Sequence, residues 1–487
     1  MRKKGLVSLA IVLTVGCVFM GYIYKTLEFK TANGTLNIKY FYEQEKDTVD
    51  LLVLGSSHAY MNINPAVLYD EYGISSYMLG GTNQAFWNSY YYLTEALKTQ
   101  HPGLIIVEGY AANEISDYRP HGQILNNTLG IKDKRTRVKA IFASSQRNKA
   151  DDYLFDYRLW HSRYEDIDEA GFRDYYVSPS WSYFKGYELH FECAAYEKPN
   201  VDDFQGLINI NQKEEVYFRK IIELCQREEI PVMVIIAPWV LSENEQQRNN
   251  YLVTIAEEYR VPCINYNSNE AYESIGLDFG SDMVDGGHLN YRGGRKFTSF
   301  LGRDIQNYVT LTDHRGDGRY SSWEKCSEDI NARISDFEVD FAGSWEDLAN
   351  AYDQDIHTMY LYTISDTGRI CERTDLFSQM GIDEGSLQDG RLYLLDKQFC
   401  RQINDEGVKW KYETLINGTY FSVENDLSVI DSQIVSQNLM YFDEKQYIND
   451  ARGAYLFVYD KFGAWAGIKQ IRVNAEGDVE VIKISKY

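Results

Sequence analysis

The stretch LLVLGSSHAYMNINP, Leu51 to Pro65, decides how this chain is read. An apolar run ends at Gly55, and Ser56, Ser57 and His58 follow. Such a run, bounded by turn residues, reads as a buried strand. Asn64–Gly73 then reads as a helix, with Pro65 near its first turn and Gly73 at its end. The Gly-Ser-Ser-His end either caps a helix or presents a hydroxyl for chemistry. In parallel sheets ligands bind beyond the C-terminal ends of the strands, which is where this serine pair falls.

The pattern continues outward from there. Short β-rich runs at Asp50–Gly55, Ser75–Gly81, Gly103–Gly109, Ile230–Pro238 and Val261–Asn267 alternate with amphipathic stretches. Those stretches lie at Asn64–Gly73, Asn83–Gln100, Lys213–Glu229, Glu245–Arg260 and Asn290–Val309. Strands alternating with helices predict an α/β domain with a parallel sheet covered on both faces, over about residues 45–310. An interruption at about 110–212 is rich in Tyr, Trp, Asp and Asn. It reads either as a lid or specificity wall or as a structural excursion packed on the sheet. After a polar stretch, TDHRGDGRYSSW (Thr312–Trp323), the character changes. Residues 323–487 are rich in β-like runs and predict a separate α+β or mostly β domain.

Composition narrows the partners. The formal net charge of −23 argues against nucleic acid and anionic lipid headgroups, and it suits a neutral polymer better than a polyanionic one. Tyr is abundant, at 40 residues, which reads as lineage composition before it reads as sugar-stacking surface. The seven cysteines are scattered without metal-ligand spacing. Cys225 and Cys263 sit in apolar patterns and read as buried thiols.

The N-terminus predicts an anchor over residues 1–25. Arg2, Lys3 and Lys4 precede an uncharged apolar run from Gly5 to Tyr24, about the length that crosses a bilayer core. The basic cluster places the N-terminus in the cytoplasm and the body outside the cell. No small-x-small cleavage site ends the run. Thr14-Val15-Gly16-Cys17 loosely resembles a lipoprotein cleavage site, but the apolar run continues past Cys17.

A serine becomes a nucleophile only when a base takes its proton and donors hold the oxyanion. The base is usually a histidine oriented by a carboxylate. The stretch DMVDGGHLNYRGGRKF supplies Asp285 and His288 in a Gly-rich loop before the last helix, and Gly286 and Gly287 would let that loop turn tightly. Ser57, His288 and Asp285 are therefore the candidate catalytic set. His58 adjoins Ser57 and is badly placed as its base, so Ser56 and His58 read as pocket-lining or capping residues. A His58/His288/Asp285 metal site has no recognised ligand motif, so no metal or other cofactor is expected.

Ser57 after the first strand, with Asp285-Gly286-Gly287-His288 before the last helix, resembles the SGNH/GDSL hydrolase superfamily. LVLGSSHAYMNINP with DGGHLNYRGG is most similar to its membrane-tethered envelope branch, which includes DltD-type and alginate O-acetylation-type proteins. The resemblance covers roughly Asp50 to Thr310. It implies a flavodoxin-like three-layer sheet, Ser57 as nucleophile, His288 as base and Asp285 as orienting carboxylate. It also implies an oxyanion glycine at Gly80 or Gly81. The usual G-x-N-D block is absent, which leaves Asn83 and Asn113 as candidates for its amide. The implied activity is esterase or O-acyltransferase chemistry on an envelope glycan or polymer, with a multi-pass acyl exporter as a further partner. The rival is a non-catalytic glycan-binding or assembly protein on a degenerate hydrolase fold. ARGAYLFVYDKFGAWAGIKQIRV (Ala451–Val473) faintly resembles an ILEI/FAM3-type lectin-like domain, which implies a glycan-binding accessory module.

Overall fold

The computed structural model describes residues 11–21, 23, 32–154, 184–396, 399–404, 409–430, 433–442, 445–448, 452–461 and 464–484. It divides into two compact units, Met1–Glu328 and Asp329–Tyr487.

The first unit is built on five parallel strands: β1 (Leu51–Gly55), β2 (Ser76–Gly80), β3 (Leu104–Glu108), β4 (Val232–Ile236) and β5 (Cys263–Asn265). Their order is β2-β1-β3-β4-β5, the flavodoxin-like order. Every residue of the first four strands is buried, so both faces of the sheet are covered, as a βαβ sheet requires. Only β5, at the edge, is partly open. The chain leaves β1 for β2 on one side and then crosses to β3 on the other, so a switch point lies between β1 and β3.

Local chemistry sets the helices that frame this edge. Asn64 Oδ1 accepts from the Ala66 N–H, Pro65 stands at the first position, and Gly73 ends Pro65–Tyr72 at φ +70°. Ser242 and Glu245 form a capping box at the start of Glu243–Glu258. Asn290 Oδ1 accepts from the N–H groups of Arg292 and Gly293 and starts Tyr291–Tyr308.

The stretch after that last helix packs on the same unit. His314 Nε2 meets Asp50 Oδ2 at 2.5 Å, and its ring stacks on Tyr320. The buried Trp323 indole donates to the Ser76 carbonyl at 2.8 Å. The polar stretch at 312–323 is thus anchored against strand β2 rather than merely connecting two domains.

The membrane anchor is corrected. Residues 11–21 are helical. Among the described residues no helix is long and apolar enough to cross a membrane. The apolar run is countable in the sequence, but whether such a run forms one continuous spanning helix is not. A single-pass anchor with a cytoplasmic N-terminus and an extracellular body is therefore not supported.

In the interruption, Lys134–Ser144 is helical, capped by Asp133, and residues 155–183 lie outside the described part. For those residues the lid reading lies outside the described part.

The second unit is antiparallel. Six strands order as β15-β14-β13-β6-β7-β8 and four as β12-β11-β10-β9. Here β6 is His357–Thr363, β7 Arg391–Asp396, β8 Phe399–Gln402, β9 Lys409–Ile416 and β10 Thr419–Ile430. The rest are β11 Gln433–Phe442, β12 Lys445–Gln446, β13 Ala454–Asp460, β14 Trp465–Val473 and β15 Val479–Lys483. One core joins Leu361, Leu395, Leu456 and Ile471 to helical Leu348, Ile370 and Phe377. A second joins Tyr362, Phe457 and Ile468 to Trp410, Phe421 and Val423. Alternate residues of β6 and β13 thus point into different cores. All seven cysteines of the chain are free.

Candidate active site

Strand β1 ends at Gly55, and Ser57 opens the short helix Ser57–Tyr60. Space there is tight. A Cβ on Gly55 would stand 2.8 Å from the Cβ atoms of Ala59 and Glu108, and one on Gly80 would stand 2.7 Å from the Gly55 carbonyl oxygen. Glycine at both strand ends lets the turn after β1 seat Ser57 close to its neighbours.

The three residues named from the sequence converge. His288 Nε2 is 2.7 Å from Ser57 Oγ, across 231 residues of chain. His288 Nδ1 is 2.8 Å from Asp285 Oδ1 and 3.0 Å from Oδ2. With Nδ1–H on the carboxylate, Nε2 is left as the acceptor for the serine proton. Asp285 is the most open of the three, its side chain 53% exposed against 19% for His288. Ser56 Oγ, by contrast, is buried without a hydrogen-bond partner, so of the two serines it is Ser57 that meets His288.

The loop carrying His288 is fixed from three sides. Val284 N–H donates to the His288 carbonyl and Val240 N–H to the Gly286 carbonyl. Leu289 N–H donates to Asn62 Oδ1 at 2.9 Å. Gly287 N–H donates to Asp285 Oδ1 at 2.7 Å, so the aspartate folds the turn and orients the base together. The expectation for Gly286 and Gly287 is corrected here. Neither has a positive φ, and a Cβ on either meets only ordinary contacts. An Asx turn, not glycine's freedom, brings the pair together.

His58 is buried and stacks on Tyr110 with centroids 3.9 Å apart. Trp239 meets it edge-on at 5.1 Å, and His288 lies 4.9 Å away. Both its ring nitrogens are without a hydrogen-bond partner. Burial, then the charge of His288, hold its pKa well below the ordinary 6.5. It lines the site as a neutral ring. The unfolded chain takes up a proton on His58 below pH 6.5 that the native fold refuses. The stability due to its neutral burial is therefore complete above that pH and declines below it, by up to about 1.4 kcal/mol per pH unit. Replacing His58 by Phe should flatten the fall in urea midpoint between about pH 7 and about pH 5, relative to wild type.

The oxyanion candidates divide. Gly80 pairs with Gly55 at the strand ends, beside the nucleophile turn. Gly81 follows it, and its carbonyl accepts from the Gln84 N–H. Asn83, at φ +47°, donates from its amide to Gln123 Oε1 at 3.2 Å. The Asn113 amide donates to Asn249 Oδ1 at 3.0 Å. Neither side-chain amide bonds to Ser57 or His288.

Sequence reasoning missed several neighbours. Glu108 ends β3 fully buried, and burial pushes its carboxyl up to about 8 against the backbone N–H groups of Tyr110, Ala237 and Gly109. An acid closing the run LIIVE was a readable signal. Asn62, five residues after Ser57, ties the nucleophile segment to the base loop. Residues 188–196 of the interruption run along the same loop: the His190, Met283 and Phe279 carbonyls accept from Tyr291, Ala194 and Tyr196. Among the described residues no three His, Cys, Asp or Glu side chains converge as metal ligands would.

No family model, curated protein or solved structure matches the chain.

Proposed function

We propose that the chain is a divergent SGNH-type serine esterase or O-acyltransferase, acting on ester groups of a glycan or other polymer through an acyl-Ser57 intermediate. The observation that carries this reading is the continuous hydrogen-bonded relay Ser57–His288–Asp285 at the C-terminal edge of a parallel sheet. Ser57 Oγ attacks the ester carbonyl carbon as its proton passes to His288 Nε2. The tetrahedral intermediate collapses, the C–O bond of the leaving alcohol breaks, and that alcohol takes the proton from His288. Water or a sugar hydroxyl then repeats the sequence in reverse order and frees Ser57. Asp285 fixes the imidazole's tautomer and supports its positive charge while it holds the proton.

The net charge of −23 favours a neutral polymer over a polyanionic one. The commitments of Asn83 and Asn113 favour the second reading, a glycan-binding protein on the same fold without turnover. The test is exposure of the folded protein to a fluorophosphonate probe, followed by intact mass and peptide mapping. One adduct, on the peptide containing Ser57, is expected. A folded sample that takes no adduct would favour the binding reading.

A further inference from the structure

We propose that the cleft around Lys185 is a second binding site of the first unit and that it takes a small hydroxylated monocarboxylate. The inference does not rest on the serine acyl-transfer reading.

The cleft itself is the first argument. It measures about 510 Å³ and lies between residues 43–45 and residues 318–325, a volume that suits a small molecule. Gln44, Ser321, Ser322 and Trp323 line it beside Lys185, so its walls offer polar groups around an aromatic ring. Ser57, Asp285 and His288 are not among its lining residues.

Buried charge is the second argument. Lys185 is 3% exposed. Its ammonium donates to Gln44 Oε1 at 2.8 Å and to Ser322 Oγ at 2.7 Å, and stands 3.7 Å from the centre of the Trp323 ring. Among the described residues, then, its partners are an amide, a hydroxyl and a π face, and none is a carboxylate. Neutral partners solvate a cation without cancelling its charge, and a buried charge that is not cancelled is costly. Burial accordingly lowers the lysine pKa to about 8. An anion entering the cleft supplies the counter-charge.

The backbone is the third. Lys185 has a φ of +52°, a left-handed conformation that is unfavourable for a residue with a Cβ and persists only where the surroundings impose it. Here strand β2 imposes it. The Lys185 carbonyl accepts from the Met78 N–H at 2.8 Å. Gly186 follows at φ +82°, where a Cβ would stand 2.1 Å from the Met78 carbonyl oxygen. The fold thus sustains an unfavourable turn to hold this lysine at the cleft.

The walls select the ligand. Ser322 Oγ accepts from Lys185, which leaves its hydrogen to donate to an oxygen beside the ammonium. Arg319 and Lys325 add positive charge to the lining, and Glu43 and Glu45 add negative charge. Arg319 is already bonded to Glu45 at 2.8 Å. The two glutamates disfavour a phosphate dianion, whereas a single carboxylate matches the single buried ammonium. Gln44 and Ser321 are polar partners for hydroxyls on the rest of the ligand.

The test is calorimetric titration of the full chain with D-gluconate, D-glucose and inorganic phosphate at low salt. Gluconate should bind, and glucose and phosphate should each bind at least about 10-fold more weakly, the worth of one charge-assisted hydrogen bond. Lys185→Met keeps the length of the side chain without its charge and should weaken gluconate by about 10–100-fold. Ser322→Ala should weaken it by about 3–10-fold, as loss of one neutral hydrogen bond does. Ser57→Ala should bind gluconate as wild type does. If Lys185→Met fails to fold, Ser321→Trp stands in: it fills the cleft from an exposed position and should abolish binding. No gluconate binding by wild type, or unchanged affinity in a folded Lys185→Met or in its stand-in, overturns the inference. So does phosphate or glucose binding as tightly as gluconate. Gluconate binding lost in Ser57→Ala would place the ligand at the other site and overturn it as well.

Discussion

Ser57→Ala should lower ester turnover by about 10³-fold or more, and no other single change at the site should exceed it. Removing the hydroxyl removes the atom that bonds to the acyl group, so no rearrangement of neighbours restores the covalent route. What remains is water attack assisted by His288 and whatever donors surround the carbonyl. The fold should be indifferent. Ser57 stands at the start of a four-residue helix, and its hydroxyl bonds to His288. The thermal midpoint of Ser57→Ala should therefore stay with wild type while turnover collapses. Steady-state kinetics with p-nitrophenyl acetate, run beside a melting curve, separates the two. Turnover that survives in Ser57→Ala but disappears in Ser56→Ala would move the nucleophile by one residue.

The largest stability effect is expected far from that chemistry. Glu214 and Arg119 form an ion pair at 2.5 Å with both side chains at or below 1% exposure. The same carboxylate accepts from the Phe86 N–H at 2.8 Å. That second bond caps the helix Phe86–Ala96, whose own N-cap, Ala85, has no side-chain oxygen to offer. Arg119 also donates to the Asn83 carbonyl and lies over the Trp87 ring. Glu214→Ala would leave a buried guanidinium with only the more distant Glu114 carboxylate, at 3.9 Å, as counter-charge and a helix without its cap. A loss of about 3–5 kcal/mol is expected, the range for breaking one half of a buried pair. Glu214→Gln keeps an acceptor for Phe86 and should lose less. Replacing both partners by apolar residues should recover much of the deficit, because most of the cost is the abandoned charge. Urea unfolding of the four proteins, followed by tryptophan fluorescence, measures each term. A Glu214→Ala midpoint equal to wild type would show that water reaches Arg119 and that the pair is not dry.

Much of the first unit was legible because its signals are local. The apolar run before Gly55, the Asn64-Pro65 entry and Gly73 exit of one helix, and the Asn290 entry of the last can each be read from adjacent residues. Ser57, Asp285 and His288 were legible for a related reason: strand ends and helix starts are the places where parallel sheets collect functional groups. Asn62 and Glu108 were not named, because their roles depend on which backbone approaches them. Asn62 looks like a turn residue until Leu289 is beside it. The turn at Gly286-Gly287 was misread through composition, since glycine suggested unusual dihedrals where Asp285 does the folding. In the second unit, the strands of the six-stranded sheet come from residues more than a hundred apart. Local pattern gives strands there but not their neighbours.

On the proposed reading, the bond between Leu289 and Asn62, with the 231-residue span from Ser57 to His288, also sets when the protein would become active. A ribosome adding about 5–20 residues per second exposes the nucleophile roughly 10–50 s before its base. During that interval the serine is an ordinary alcohol, with no base to help it take an acyl group from an ester. Competence arrives only when the final helix of the first unit docks and the base loop closes on Asn62. On the serine acyl-transfer reading, a chain truncated before His288 has no base for Ser57 and should be chemically silent.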